Sequence, residues 1–144
     1  MVEAEDQMLL YIGGEGGTGK SQIIKALALG FELLKCQSEV LMMAPTGNAA
    51  FNIDGQTIHQ ALNIDIFNQP PHEISSHAYF LCMGKSIIII DEISMVSQTL
   101  LHTINQQCNR IRAVQQGIGN ASHSVYLLAT FETPLITLCP SVLP

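Results

Sequence analysis

Gly14-Glu15-Gly16-Gly17-Thr18-Gly19-Lys20-Ser21 is the stretch that decides how this chain folds. It fits the spacing Gly, any four residues, Gly-Lys, then Ser or Thr, without deviation. Its surroundings agree. Met8 to Ile12 is a short apolar run that reads as a strand, and Lys20 to Lys35 carries Ile23, Leu27, Phe31 and Leu34 at helical spacing. Between them, Gly13 to Gly19 holds five glycines in seven positions, which demands a turn. Strand, glycine-rich turn and helix in that order make a phosphate cradle. The glycines let backbone N–H groups point inward, and the positive end of the helix faces the same anion. Gly14, Gly16, Gly17, Thr18 and Gly19 are the expected cradle. Lys20 is expected to reach the beta and gamma phosphates, and Ser21 to ligate magnesium.

A second stretch completes the constellation. Ile87-Ile88-Ile89-Ile90-Asp91-Glu92 is four isoleucines followed by two acids. The isoleucines show no alternation, so both faces of the predicted strand, Ser86 to Ile90, should be buried. A carboxylate at the C-terminal end of a buried parallel strand faces the crevice where ligands bind. Asp91 is the expected magnesium partner, and Glu92 is placed to polarise an attacking water as general base. With Lys20, these are the expected catalytic residues. Together the two stretches specify a nucleoside triphosphatase framework whose ligands are ATP and magnesium. The dinucleotide-binding fingerprint needs no Lys-Ser pair after its glycines and does not fit. A small-molecule kinase would call for more basic residues to clamp a second phosphoryl group.

The remaining elements keep the same alternation. Glu39 to Ala44 reads as a strand, Pro45 to Gly47 as a turn and Asn48 to Asn52 as a short helical stretch. Asp54-Gly55 signals a turn, and Thr57 to Leu62 a second short helix. Asn63 to Lys85 is the least regular part, with a helix ending over Tyr79 to Met83. Ser97 to Arg112 reads as a helix capped by Ser97, with Leu100, Ile104, Cys108 and Ile111 on one side. Arg110 and Arg112 would sit near its C-terminus, where the helix dipole favours them. Gln115 to Ser122 reads as a loop, Val125 to Ala129 as a fourth strand, and Thr130 to Pro144 has no clear period. The expectation is one α/β domain over residues 1–144, with a mainly parallel sheet covered on both faces.

Composition narrows the function. Hydrophobic residues make up 47% and charged residues 12%, so part of the surface should normally be covered. Acidic residues exceed basic ones by 12 to 6, and Lys25, Lys35, Lys85, Arg110 and Arg112 are scattered. No basic stripe is present, which argues against strong nucleic-acid binding by this stretch alone. Cys36, Cys82, Cys108 and Cys139 form no zinc-type spacing and read as buried or free thiols. His72, His77 and Cys82 fit no ligand pattern either. Phe51, Phe67, Tyr79 and Phe80 could stack on bases, but isolated aromatics are more often core. The acidic N-terminus argues against a targeting segment, and no apolar run has membrane-spanning length, so an intracellular protein is expected.

Three segments taken together are specific: Gly13 to Ser21, Ala44 to Ile53 with Thr57 to His59, and Ile89 to Val96. From Leu9 to Ile111 the chain resembles the PIF-type ATP-dependent DNA helicases of superfamily one, most of all those carried by Helitron transposons. The resemblance implies a RecA-like P-loop NTPase domain, the N-terminal motor domain of a 5'-to-3' DNA helicase. It implies Lys20, Ser21, Asp91 and Glu92 as the hydrolytic site. It places Thr46 and Gly47, and with them Thr57 and His59, beside a bound single strand of DNA. It gives Ser94 and Met95 the task of coupling to a neighbouring domain. It further implies a nuclear protein of DNA repair, recombination or telomere maintenance. Relatives continue from the fourth strand into Gly-Asp-Phe, one further residue, then Gln-Leu-Pro-Pro. Here Ala129 to Leu135 puts Thr130 at the Asp position and Thr133 at the phosphate-sensing Gln position. The second RecA-like motor domain is not in this sequence. The chain is therefore expected to be incomplete, and to bind nucleotide without acting as a helicase alone.

Overall fold

The computed structural model of the chain describes residues 9–14, 19–117 and 125–129. In chain order its elements are β1 (Leu9–Ile12), α1 (Lys20–Leu33), β2 (Val40–Ala44), α2 (Gly47–Asn52), β3 (Gln56–Thr57), α3 (Ile58–Leu62), α4 (Ser76–Cys82), β4 (Ile87–Ile90), α5 (Gln98–Gly117) and β5 (Val125–Ala129). Short 3-10 turns cover Gln37–Glu39 and Ile93–Met95. The strands form one sheet in the order β1-β5-β4-β2-β3, and every neighbouring pair is parallel.

The isoleucine strand β4 is the middle of that sheet, and its side chains divide between the two faces as a strand's must. Ile88 and Ile90 join Leu41, Met43, Ile58, Leu62, Ile104 and Ile111 in the larger core, on the face of α3, α4 and α5. Ile89 joins Ile24, Val40, Ala44, Ala49 and Ile53 in the smaller one, on the face of α1 and α2. The sheet is parallel, and at β4 and β2 it is covered on both faces, as the unbroken isoleucine run requires; Leu10 and Tyr11 of β1 remain about half exposed.

Several boundaries differ from those read in the sequence. On α1 the buried residue is Ile24, with Leu27 and Phe31 partly buried beside it. Ile23 is 43% exposed and Leu34 is 76% exposed. The apolar arc of this helix is wider than the strip the sheet can cover, so periodicity alone selects the wrong edge of it. Glu39 lies in a 3-10 turn rather than in β2, and the two-residue strand β3 has no sequence counterpart. α4 is a full helix that begins at Ser76, capped by the Ser75 hydroxyl, which accepts from Ala78 N at 3.1 Å.

α5 runs to Gly117, well past Arg112, into the expected loop. Its buried stripe continues through Gln107 and Gln115, polar residues that a hydrophobic pattern does not count. Gln107 Nε2 donates to Leu62 O at 3.3 Å. Arg110 is therefore not a helix-end cation. It donates to Pro71 O at 2.6 Å and His72 O at 2.8 Å, tying the irregular segment to α5. The expected Ser97 cap is present, accepting from Leu100 N at 3.1 Å. Cys36 and Cys82 are half-buried thiols, Cys108 is buried, and Cys139 lies outside the described residues. Burial pushes the Cys82 thiol up to about 11 against the opposing charge of Lys85, which leaves it inert near neutrality.

Because Ile89 is fully buried between α1, α2 and the sheet, Ile89→Ala is expected to cost about 2–5 kcal/mol of stability. A drop in the urea midpoint with an unchanged slope is the readout.

Candidate functional site

All the motif residues leave the sheet at one edge. Ile12 pairs with Ala129, Leu128 with Ile90, Ile90 with Met43, and Ala44 with Thr57. Since every pair is parallel, Gly13, Asp91, Pro45 and Ile58 emerge at the same, C-terminal edge. Only β5 lies between β1 and β4, so their ends stand about 10 Å apart at the usual strand spacing. That gap is the crevice in which open α/β sheets hold ligands.

On the β1 side the chain enters α1 through Gly19, whose φ of 87° lies in the left-handed region that favours glycine. Gly19 O accepts from Gln22 N at 2.9 Å and Ile23 N at 3.2 Å, and no side chain caps the helix start. The positive end of a 14-residue helix is thus turned toward the crevice. Gly14 and Ser21 are half-buried beside it. Gly16, Gly17 and Thr18 lie outside the described residues, and of Lys20 only the backbone is described.

On the β4 side Asp91 is 2% exposed. Its N–H donates to Met43 O at 3.0 Å, extending the β4–β2 ladder one residue past the strand. Its Oδ1 accepts from Glu92 N at 2.8 Å. Glu92 takes a left-handed φ of 51° and turns the chain abruptly into Ile93–Met95. Its carboxyl is held above the usual range, first by burial and second by the charge of Asp91. A raised carboxyl is a stronger base, which suits proton abstraction from water. The Ser21 hydroxyl and the Asp91 carboxylate are hard oxygen donors, the class that magnesium takes. Among the described residues no cluster of three His, Cys, Asp or Glu could hold a metal, so His72, His77 and Cys82 form no such site.

The far half of the edge holds Thr46, Gly47, Thr57 and His59. Thr46 caps α2, accepting from Ala49 N at 3.3 Å. Thr57 caps α3, accepting from Gln60 N at 3.4 Å and donating to Gln60 Oε1 at 2.9 Å. Both hydroxyls are therefore engaged in starting helices. Gly47 is exposed, and a Cβ placed there meets nothing within 4 Å. The His59 ring is held through Nε2 by Asn68 Oδ1 at 3.1 Å, a partner nine residues away with no sequence signal. Ile93 and Val96 are buried and leave Ser94 and Met95 exposed. The expectation of core aromatics holds only for Tyr79, which packs on the larger core; Phe51 is 82% exposed, and Phe67 and Phe80 are exposed as well.

The parallel order β1-β5-β4-β2-β3, with a glycine turn and helix start at one strand end and buried Asp91 two strands away, defines a RecA-like P-loop nucleotide-binding domain. Residues 1–125 match the family model described as PIF1-like helicase, and the chain belongs to that family. It is 35% identical over 116 residues to the ATP-dependent DNA helicase RRM3 of Saccharomyces cerevisiae, covering 76% of this chain and 16% of that protein. It is 30% identical over 112 residues to the ATP-dependent DNA helicase PIF3 of Trypanosoma brucei brucei, covering 76% of this chain and 13% of that protein. Among solved structures, a Bacteroides Pif1 bound to single-stranded DNA superposes with a TM-score of 0.62 at 27% identity, over 92% of this chain and 30% of that one. Pif1 helicase from Candida albicans gives 0.64 at 26% identity, over 91% and 31%. The chain thus spans less than a third of each of these relatives. No helix among the described residues is long and apolar enough to cross a membrane.

Gly47→Ala separates backbone need from ligand approach. The open space around Gly47 predicts a melting temperature that is unchanged or slightly raised. A fall in affinity for single-stranded DNA in that variant marks close approach of the strand to this residue. For Glu92, a carboxyl raised in the folded state adds stability below its ordinary value of 4.5 and loses it as pH rises through the raised value. In metal-free buffer, Glu92→Gln is expected to remove this decline, which a series of melting curves from pH 4 upward reads directly.

Proposed function

We propose that this chain binds ATP with magnesium and hydrolyses it as the first motor domain of a 5'-to-3' DNA helicase. The observation that carries the reading is the placement of buried Asp91 at the sheet edge shared with the end of β1 and the start of α1. Gly14 to Gly19 and the α1 terminus hold the phosphates, and Lys20 neutralises the beta and gamma groups. Ser21 and Asp91 are the protein's magnesium ligands. Glu92 accepts the proton of the attacking water. When bound, magnesium supplies charge neutralisation at the transferred phosphoryl group.

Strand contact belongs to the other half of the edge, at Thr46, Gly47, Thr57 and His59. The single-stranded DNA in the Bacteroides Pif1 structure supports that partner. Ser94 and Met95, exposed on a turn anchored by Ile93 and Val96, face a second RecA-like domain in the complete protein. Within the family, the Ala44 to Ile53 and Ile89 to Val96 segments favour kinship with Helitron-borne helicases. A nuclear protein acting in DNA repair, recombination or telomere maintenance fits this reading.

A second reading has its own observation. Thr130 and Thr133 replace the Asp and the phosphate-sensing Gln of relatives, which favours a module that binds nucleotide with little turnover. The two readings separate on one set of measurements. Lys20→Ala is expected to abolish magnesium-dependent binding of a fluorescent ATP analogue. Glu92→Gln should retain binding while hydrolysis falls about 100- to 10,000-fold. Binding with no measurable wild-type turnover selects the module. In a longer natural protein with both motor domains, absence of stimulation by single-stranded DNA sinks the helicase role.

A further inference from the structure

We infer that Asn68 is a positioning residue for the strand-facing half of the edge: it locks the His59 ring in one tautomer and makes that ring a hydrogen-bond acceptor toward nucleic acid. The inference rests on the reading of His59 as a strand contact.

Asn68 closes a tight turn that begins at Asp65. Asp65 Oδ1 accepts from Phe67 N at 3.0 Å and from Gln69 N at 2.8 Å, and Asp65 O accepts from Asn68 N at 3.0 Å. Asn68 itself sits at φ 60°, a left-handed conformation that asparagine tolerates better than most residues. Its carbonyl accepts from Thr103 Oγ1 at 2.6 Å, and Thr103 is 3% exposed on α5. Backbone and side chain are thereby fixed from three sides: the Asp65 turn, the α5 threonine and the α3 histidine.

The consequence for the ring is chemical. A side-chain amide oxygen can only accept, so the nitrogen 3.1 Å from it, His59 Nε2, carries the proton. In the neutral imidazole the other nitrogen, Nδ1, then holds a lone pair and can only accept. An acceptor opposes a phosphate oxygen and matches the N–H groups on base edges. His59 therefore meets a single strand at its bases rather than its backbone. A protein with few basic residues can use such a contact without a salt-dependent phosphate site.

Asn68→Gly tests the lock cleanly, because glycine keeps the left-handed backbone and the carbonyl bonded to Thr103 while removing Oδ1. The full 144-residue chain, labelled with 15N at histidine, is examined by NMR and titrated with a mixed-sequence single-stranded oligonucleotide. Wild type should show His59 as a single Nε2–H tautomer, and Asn68→Gly a mixture. Asn68→Asp, which keeps an acceptor but adds a charge that favours the imidazolium, should restore the single tautomer in alkaline buffer, where the ring is neutral. In Asn68→Gly, oligonucleotide affinity should fall about two- to tenfold, with the slope of log affinity against log salt unchanged. A ring spectrum identical to wild type in Asn68→Gly overturns the lock. A slope shallower by about one in His59→Ala identifies a phosphate contact and overturns the acceptor assignment. His59→Ala with unchanged affinity overturns the strand-contact reading and with it the acceptor's role on nucleic acid, a result distinguishable from loss of the lock by the ring spectrum.

Discussion

The burial of β4 on both faces is the constraint on which the structure depends. Four β-branched side chains in a row supply apolar groups to both cores at once, so the strand has to lie inside the sheet with parallel neighbours on each side. Hydrogen bonding then decides the path of the chain after the fourth isoleucine. The backbone past Ile90 is still enclosed, and its N–H must be satisfied there. Met43 O satisfies the N–H of Asp91, and the Asp91 carboxylate satisfies that of Glu92. A carboxylate is held at the floor of the crevice by the same bonds that end the strand. Folding and chemistry use one set of contacts at this point.

How much was legible in the sequence depends on the range of each interaction. The glycine turn and the isoleucine strand are local patterns: β4 lies where the isoleucines put it, and Gly19 opens α1 in a left-handed conformation. The Ser97 cap was readable for the same reason. The buried side of α1 was not, because its apolar arc extends beyond what the sheet covers and only the tertiary packing selects Ile24 over Ile23. The length of α5 was hidden by Gln107 and Gln115, which occupy core positions as amides. Asn68 gave no signal at all, since its side-chain and carbonyl partners lie 9 and 35 residues away. The exposed aromatics are the opposite failure. Hydrophobicity alone would bury them, yet Phe51 lies on the surface of a short helix whose buried side is filled by Ala49 and Ala50.

Charge bears on what the far half of the edge can bind. Six basic residues stand against twelve acidic ones. Two of the six are committed to backbone carbonyls, Lys85 Nζ to Ser38 O at 2.7 Å and Arg110 to those of Pro71 and His72. Lys20 stands at the start of α1, behind the glycine turn. The other three, Lys25, Lys35 and Arg112, cannot build the row of phosphate contacts that drives salt-dependent binding. Any hold this edge has on a single strand must come from backbone groups, small residues such as Gly47 and neutral side chains. The low charge of the composition reappears as exposed apolar surface on α1, at Leu29 and Leu33, and just past it at Leu34.

The two halves of the edge are joined by the shortest route a sheet allows. β4 and β2 are adjacent strands, and the bond from Asp91 N to Met43 O crosses between them. Two residues beyond Met43 the chain reaches Pro45, and then Thr46, whose hydroxyl starts α2. Three residues beyond Asp91 begins the exposed pair Ser94 and Met95. The buried carboxylate residue Asp91 is therefore bonded directly to the strand that leads into Thr46 and Gly47. It also sits beside the turn that exposes Ser94 and Met95. Packed strands transmit displacement with little loss, because a close-packed core does not deform continuously. No long chain of intermediates separates these surfaces: Asp91 bonds to β2 through its N–H and to the start of the Ile93–Met95 turn through its carboxylate.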